Sequence, residues 1–439
     1  MSTTAVVTRV GRELIAICGA EHVTEAPPER ILGCAPSVAV RPGLAEEIVA
    51  ILRFANENDL TVVPAGGFTQ QQSGNVPAQI DILLYTSRLT DVEHYDPGDL
   101  TIGIGAGSAI SQLSAMVGKD GLLFAGDPPL PGRATVGGLL ATAMAGPLRH
   151  GFGAPRDYCI GIRFVAGDGR TGKGGGRVVK NVAGYDMMKL MIGSQGTLAI
   201  ITGASFKLFP APRQTRTFVA HFSTGAEAIE YQRRILRSPL DPVCLELVSP
   251  EAHRLLVPAS PAGAAWSICV RGAGSDTVLA RYRSELGPAV AREMDGANEL
   301  GFWRCVADFT PLACEKPDSL LLSLALPLQE VQPVLANLEQ IAASGGFTLA
   351  AIGRVGTGHL LAALWPTSGR QAAKSDFIAA LSALRARLPH HSSMAVLYCP
   401  TELRSETGPL QTPTHLESMR AVKRTLDPKD ILNRGRFPL

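Results

Sequence analysis

The sequence predicts an α+β protein with more than one domain. A chain of 439 residues is too long for one ordinary core. Hydrophobic residues make up 46% of it, ample for buried cores, while aromatic residues are 5% and charged residues 18%. The 46 glycines and 31 prolines suit many short strands and close backbone approaches better than a helical bundle.

The elements follow in order. Ser37–Val40 reads as a short strand. Leu44, Ile48, Ile51, Leu52 and Ala55 fall on one helical face that runs to Asn58. Leu60–Val63 is a second strand and leads into Pro64-Ala65-Gly66-Gly67-Phe68-Thr69. Val92–Tyr95 and Leu100–Gly105 flank the turn Asp96-Pro97-Gly98-Asp99 and predict a hairpin. A helix from Ser108 to Val117 follows, then strands at Ile160–Ala166, Arg177–Val179 and Thr197–Leu208. Pro210-Ala211-Pro212 breaks the chain and marks a domain boundary.

Beyond that break, strands at Thr217–Phe222, Val243–Val248, Ala265–Arg271, Leu320–Leu326, Thr348–Arg354 and His359–Trp365 alternate with helices ending near Ser238, Ser344 and Leu388. Another helix begins at Ser275. This pattern predicts a separate α+β domain on an antiparallel sheet. The tail Leu416–Leu426 is a helix stopped by Asp427-Pro428.

Composition excludes several classes. Net charge is +2 from 41 basic and 39 acidic side chains, with no basic stripe for nucleic acid or an anionic membrane. The eight cysteines include no C-x-x-C pair, so neither a zinc knuckle nor an iron–sulfur cluster is spelled out. Buried free thiols in a reducing cytoplasm are the expectation. Residues 1–20 lack the basic head and long apolar core of a signal peptide, and no window approaches the ~18 apolar residues of a membrane span.

Two nucleotide motifs fail on context. Gly167-Asp168-Gly169-Arg170-Thr171-Gly172 fits G-x-G-x-x-G, but Lys173-Gly174-Gly175-Gly176 cannot open the helix that should follow. Read instead as a P-loop, the same stretch has glycine where a magnesium-binding hydroxyl belongs. A hairpin loop is the better reading. Three other glycine segments carry more: Pro64–Gly67 at a strand end, Thr135-Val136-Gly137-Gly138 before a small-residue run, and Gly193–Thr202, a turn feeding an apolar strand. Bare backbone N–H groups at such bends can converge on phosphate oxygens.

Together these segments resemble the PCMH-type FAD-binding domain of the vanillyl-alcohol oxidase superfamily. The run Gly175–Asp186 is similar to a segment of the GlcE-type FAD-binding subunit of glycolate oxidase, and Gly193–Thr202 continues it. Asp427-Pro428-Lys429-Asp430-Ile431-Leu432-Asn433-Arg434-Gly435-Arg436 resembles the family's D-P-x-x-I-L-N-P-G-K close, with Arg434 in place of proline, a change expected to loosen that turn. The resemblance implies an N-terminal segment (1–34), a two-subdomain FAD-binding domain (35–212), an α+β cap or substrate domain (213–400) and a C-terminal segment returning to the FAD domain (401–439).

The site residues it implies are these. Backbone at Ala65, Gly66, Gly67, Phe68 and Thr69 wraps the pyrophosphate of FAD, with Gly74 and Asn75 close by. Asp127, Pro128, Thr135, Gly137, Gly138, Ala141, Thr142 and Gly146 line the flavin's other side. Gly196 forms the turn before Ile200 and Ile201 at the adenine end, and Asn433 approaches the ring system. Arg149-His150 and Arg156-Asp157 either hold the pyrophosphate or brace a loop. The Pro64–Thr69 loop holds no His or Cys, so the flavin is expected to be non-covalent.

The chemistry implied is oxidation of a 2-hydroxy acid such as glycolate. The substrate carboxylate calls for an arginine fork and the hydroxyl proton for a histidine-like base. Relatives in this family carry G-H-x-G-D-G-N-x-H with a metal-binding histidine pair. Here Gly353-Arg354-Val355-Gly356-Thr357-Gly358-His359-Leu360-Leu361 stands in that place, so no metal is expected. Arg354 and His359 are the catalytic candidates; a strand-edge ion pair or capped turn is the alternative. Three readings stay open: an FAD subunit working with a paralogous FAD subunit and an iron–sulfur subunit, a self-sufficient metal-independent dehydrogenase, or a flavin-binding scaffold. The expected compartment is the cytoplasm, with membrane association only through partner subunits and no nucleic-acid partner.

Overall fold

A computed structural model describes residues 3–177, 184–257, 265–407 and 415–437. The chain divides into two compact units.

The first unit comprises residues 1–145, 153–211 and 412–439. Val38–Val40 pairs in parallel with Ile82–Tyr85, and so does Val62–Ala65 on its other side. Parallel neighbours need a crossover. The helix Ala45–Glu57 supplies the first one, and it buries Ile48, Ile51, Leu52 and Ala55, the face that periodicity marks. Val23–Glu25 adds antiparallel to Val38–Val40 and completes a four-stranded sheet. Each fully buried aliphatic side chain here contributes roughly 1.5–3 kcal/mol.

The unit's second sheet is antiparallel and five-stranded, ordered Val92–Asp96, Thr101–Gly105, Ala199–Lys207, Cys159–Ala166, Thr171–Gly175. The hairpin expected around Pro97-Gly98 forms, with Asp96 paired to Thr101. Gly167–Arg170 is the tight turn joining Cys159–Ala166 to Thr171–Gly175, closed by Ala166 N–H on the Arg170 carbonyl at 2.9 Å. No helix follows it. The strand after this turn is Thr171–Gly175; the strand expected at Arg177–Val179 and the middle of the Gly175–Asp186 run fall on residues 178–183, which lie outside the described residues.

The second unit comprises residues 146–152 and 212–411. Its eight-stranded sheet is antiparallel throughout, ordered Val290–Met294, Thr215–Phe222, Trp266–Ala273, Cys244–Val248, Phe347–Arg354, His359–Pro366, Leu320–Ala325, Ser393–Tyr398. Helices cover both faces. Phe218, Leu245, Leu247, Ile268 and Leu322 meet Gly225–Leu236, Val331–Gly345 and Lys374–Arg387 on one face. Val219, Cys244, Val248, Cys269 and Ile352 meet Pro250–Leu256, Gly296–Ala307 and Phe309–Cys314 on the other. The two edge strands carry a weaker apolar signal than the inner ones: Val290–Met294 buries only its first and last residues, and Ser393–Tyr398 buries only Met394 and Val396.

A carboxylate sits inside this second core. Glu299, 1% exposed, accepts from the Thr217 hydroxyl at 2.8 Å and from Arg271 Nε at 3.2 Å. Trp303 Nε1 donates to the same Thr217 hydroxyl at 2.7 Å. A buried charge is tolerated when its lone pairs are occupied in this way. All eight cysteines are free thiols, and no helix among the described residues is long and apolar enough to cross a membrane.

Candidate functional site

The glycine segments singled out in the sequence converge on one cleft in the first unit. It is lined by Pro64–Gln71 from the end of a parallel strand, by Thr135, Gly137, Gly138, Ala141 and Thr142 from a short helix, by Gln195, Gly196 and Ala199–Ile201, and by Asn433 and Arg436. Gly66, Gly137 and Gly196 thus face a common space although up to 130 residues separate them in sequence.

The loop after the strand is built by close approach. A Cβ on Gly67 would fall 1.7 Å from the Arg133 carbonyl oxygen, and one on Gly66 would fall 2.2 Å from the Thr135 hydroxyl. Phe68 takes a left-handed φ of 60° and packs its ring 5.5 Å from that of Tyr85. Arg133 Nη2 donates to the Gly67 carbonyl at 3.2 Å, and Gln71 Nε2 donates to the Pro64 carbonyl at 3.1 Å, so the carbonyls are tied back. Among the described residues, nothing accepts from the N–H groups of Gly66, Gly67, Phe68 and Thr69. Consecutive unsatisfied N–H groups at a bend make an anion-binding concavity.

Thr135 caps the neighbouring helix Val136–Thr142, its hydroxyl accepting from Gly138 N–H at 3.3 Å. The small-residue run predicts a helix start after Gly138; the helix instead contains both glycines. A Cβ on Gly137 would sit 3.0 Å from that of Ala106, so the neighbouring chain would have to give by a few tenths of an ångström.

The C-terminal segment closes the cleft's floor. Asn433, 5% exposed, donates from its backbone to the Val62 carbonyl at 2.9 Å and from Nδ2 to the Gln195 carbonyl at 2.6 Å. Its Oδ1 is buried with no hydrogen-bond partner among the described residues. Such an orphaned acceptor beside a cleft fits a donor on a bound molecule. Arg434 does not loosen the turn: its Nε donates to the Asp430 carbonyl at 2.7 Å and its Nη2 reaches Asp59 at 3.2 Å, replacing proline's rigidity with side-chain ties.

The cleft also has walls outside the glycine segments and outside the residues that the resemblance implies: Gln70, Gln71, Thr86 and Arg436. Arg436 had a signal, since it occupies the basic last position of the closing motif. Its guanidinium donates to the carbonyls of Gln71 at 3.2 Å and Asn75 at 3.3 Å. Gly74 and Asn75 belong to this brace and do not line the cleft: Asn75 N–H donates to the Arg436 carbonyl at 3.0 Å. Asp127 and Pro128 are not among the lining residues either. Gly146, Arg149 and His150 lie in the short segment that clusters with the second unit. There the His150 ring lies 2.8 Å from where a Cβ on Gly356 would be, and burial pushes its pKa down.

Arg354 and His359 are adjacent cross-strand partners in the second unit's sheet. Arg354 is 4% exposed and its Nε donates to Glu246 Oε1 at 2.8 Å; Glu246 is fully buried. Arg354 Nη1 lies 3.4 Å from His359 Nδ1, and His359 Nε2 lies 3.1 Å from the Ser323 hydroxyl. Burial, then the charges of Arg354 and Arg149, push the His359 pKa down to about 3. The imidazole is therefore neutral at physiological pH and a weak base. Among the described residues, no cluster of three or more His, Cys, Asp or Glu could hold a metal.

Residues 36–174 match the family model for an FAD binding domain, and residues 211–385 with 404–437 match that for the C-terminal domain of FAD linked oxidases. D-lactate dehydrogenase of Archaeoglobus fulgidus is 30% identical over 419 residues, covering 91% of this chain and 90% of that one. Glycolate oxidase subunit GlcE of Escherichia coli K12 is 36% identical over 157 residues, covering 35% of this chain and 44% of that one. Among solved structures, p-cresol methylhydroxylase with substrate bound superposes with a TM-score of 0.76 at 15% identity, covering 99% of this chain and 97% of that one.

Proposed function

Because the chain belongs to the FAD-linked oxidase family and FAD is its cofactor, we propose that it is the flavin-holding subunit of a complex that oxidises a 2-hydroxy acid of the glycolate type. The observation that carries this reading is the cleft: four consecutive backbone N–H groups without acceptors, beside a buried Asn433 Oδ1 without a donor. Gly66–Thr69 would hold the diphosphate and Asn433 a donor of the bound cofactor, with Gly137, Gly138, Ala141 and Thr142 keeping one wall free of bulk. FAD supplies hydride acceptance and the onward transfer of electrons. The chain's own residues bind it and exclude water.

The polar groups of the second unit support a subunit role. Arg354 already faces a buried carboxylate, so a substrate carboxylate would have to compete with Glu246. His359, neutral and weakly basic, suits accepting a hydrogen bond from a hydroxyl more than removing its proton. A paralogous FAD subunit would then hold the substrate-oxidising site, and an iron–sulfur subunit would take the electrons.

One observation favours a second reading, in which this chain oxidises a D-2-hydroxy acid unaided: the match to a D-lactate dehydrogenase runs nearly end to end. An absorbance spectrum of the purified chain followed by anaerobic addition of glycolate or D-lactate separates the two. We expect a yellow protein whose flavin is not bleached within minutes by either acid alone. Rapid bleaching by the isolated chain would overturn the subunit reading, and Arg354→Leu should then raise KM. A colourless protein after gentle purification would overturn both.

A further inference from the structure

The loop Gly193–Gly196 has two faces. Gln195 and Gly196 line the FAD cleft, while Gly193 and Ser194 line a second hollow of ≈ 320 Å³ within the same unit. Its walls are mainly apolar, from Leu190, Ile192, Leu198, Met419, Val422 and Phe437. Thr197, Ser418 and two exposed cations, Arg156 and Lys189, complete the lining, and Arg156 Nη2 donates to the Ile192 carbonyl at 3.0 Å. Lys189 shares its charge with Asp186 at 2.9 Å, and the pair of cations still leaves this rim net positive. The Ser194 hydroxyl is buried in the intervening wall with no partner among the described residues. No role in the reading above uses this hollow.

We propose that the hollow binds a small amphipathic anion, a carboxylate with a medium-length alkyl tail, and that its occupancy tunes the hold on FAD. An apolar space of this size with a few charged groups at one side is the usual architecture of a small-molecule site. The tail packs against Leu198, Val422 and Phe437, and the carboxylate faces Arg156 and Lys189. A cationic headgroup would meet like charge there.

The coupling follows from how the shared loop is tied. Gly193 N–H donates to the Leu140 carbonyl at 2.9 Å, and Gln195 N–H donates to the Ala141 carbonyl at 2.8 Å. Asn433 Nδ2 holds the Gln195 carbonyl at 2.6 Å. Ala141, Gln195 and Asn433 all line the cleft. A ligand that fixes the Ser194 side of the loop therefore fixes groups on the other side, and the effect is reciprocal: FAD strengthens anion binding by the same factor. This inference rests on the FAD cleft and not on the identity of the hydroxy acid.

Sodium octanoate titrated into the FAD-loaded protein by calorimetry tests it. Saturable binding is expected, with 1-octanol weaker by about threefold or more, the scale of an exposed charge pair. Saturating octanoate should tighten FAD binding to apoprotein by about fivefold, the low end of ordinary couplings. Val422→Trp and, independently, Met419→Trp should abolish octanoate binding and, with it, the tightening of FAD by octanoate. Absence of saturable binding, octanol binding equal to octanoate, or unchanged octanoate binding in both tryptophan variants would overturn the site. Unchanged FAD affinity at saturating octanoate would overturn the coupling.

Discussion

At the scale of single residues, the cleft depends on what glycine lacks. A Cβ on Gly67 would penetrate a backbone carbonyl, which no side-chain rotation relieves, whereas Gly132 has nothing within 4 Å of its would-be Cβ. Gly67→Ala should therefore force the Gly66–Thr69 loop away from Arg133, cost about 1–3 kcal/mol as overpacking does, and release most of the FAD. Gly132→Ala should change neither by more than about 0.5 kcal/mol. Flavin content and urea unfolding of the two variants check the pair; equal flavin retention would remove the loop from the site. Arg354 and Glu246 argue at the same scale. Replacing one partner of a buried ion pair strands the other, so Glu246→Gln should destabilise the second unit by about 3–5 kcal/mol. Full stability of that variant in urea would show that the pair is not holding the sheet.

Among the elements, the C-terminal helix Leu416–Leu426 and the turn after it act as a clasp. Lys423 is 7% exposed, and its ammonium donates to the carbonyls of Thr197 at 2.7 Å and Leu432 at 3.0 Å while pairing with Asp427 at 2.6 Å. Asp427 in turn accepts from the backbone of Ile431 and Leu432. The clasp sets Leu432 beside Val62 and thereby brings Asn433 to the cleft. Lys423→Met leaves Asp427 buried without its cation; we expect a loss of about 3–5 kcal/mol and weaker FAD retention from a residue that does not line the cleft. Normal stability with lost flavin would contradict the clasp. This clasp also marks the limit of sequence reading. The helix was legible from Leu416 to Leu426 because its amphipathic period and Asp427-Pro428 are local signals. Strand and glycine segments were legible for the same reason. Lys423 reaching Thr197, Arg354 reaching Glu246 and Gln195 meeting Asn433 join residues more than a hundred positions apart, which no local pattern reports. Of the two roles the sequence leaves open for Arg149 and His150, holding the pyrophosphate or bracing a loop, no local pattern decides; Gly146–Phe152 groups with the second unit, where Gly151 donates its N–H to the Val243 carbonyl.

For the molecule as a whole, the distribution of buried histidines predicts how it responds to acid. His150, His253 and His359 all belong to the second unit, and burial lowers the pKa of each; at His359 the guanidinium groups of Arg354 and Arg149 lower it further, to about 3. In the unfolded chain these rings take a proton near pH 6.5. Below that pH the unfolded state binds more protons than the folded one, so stability rises with pH across the window from about 3 to 6.5 and is lost as the solution is acidified. The full contribution of His359 is present above pH 6.5, where both states are neutral, and each histidine still unprotonated in the fold costs about 1.4 kcal/mol per pH unit below it. His359→Gln removes the titration while keeping a side chain able to bond to Ser323. Its Tm should fall less steeply than that of the parent between pH 6.5 and 4.5, with the two curves parallel above pH 7. Curves parallel over the whole range would mean that His359 is as readily protonated folded as unfolded, and the neutral imidazole beside Arg354 would have to be abandoned.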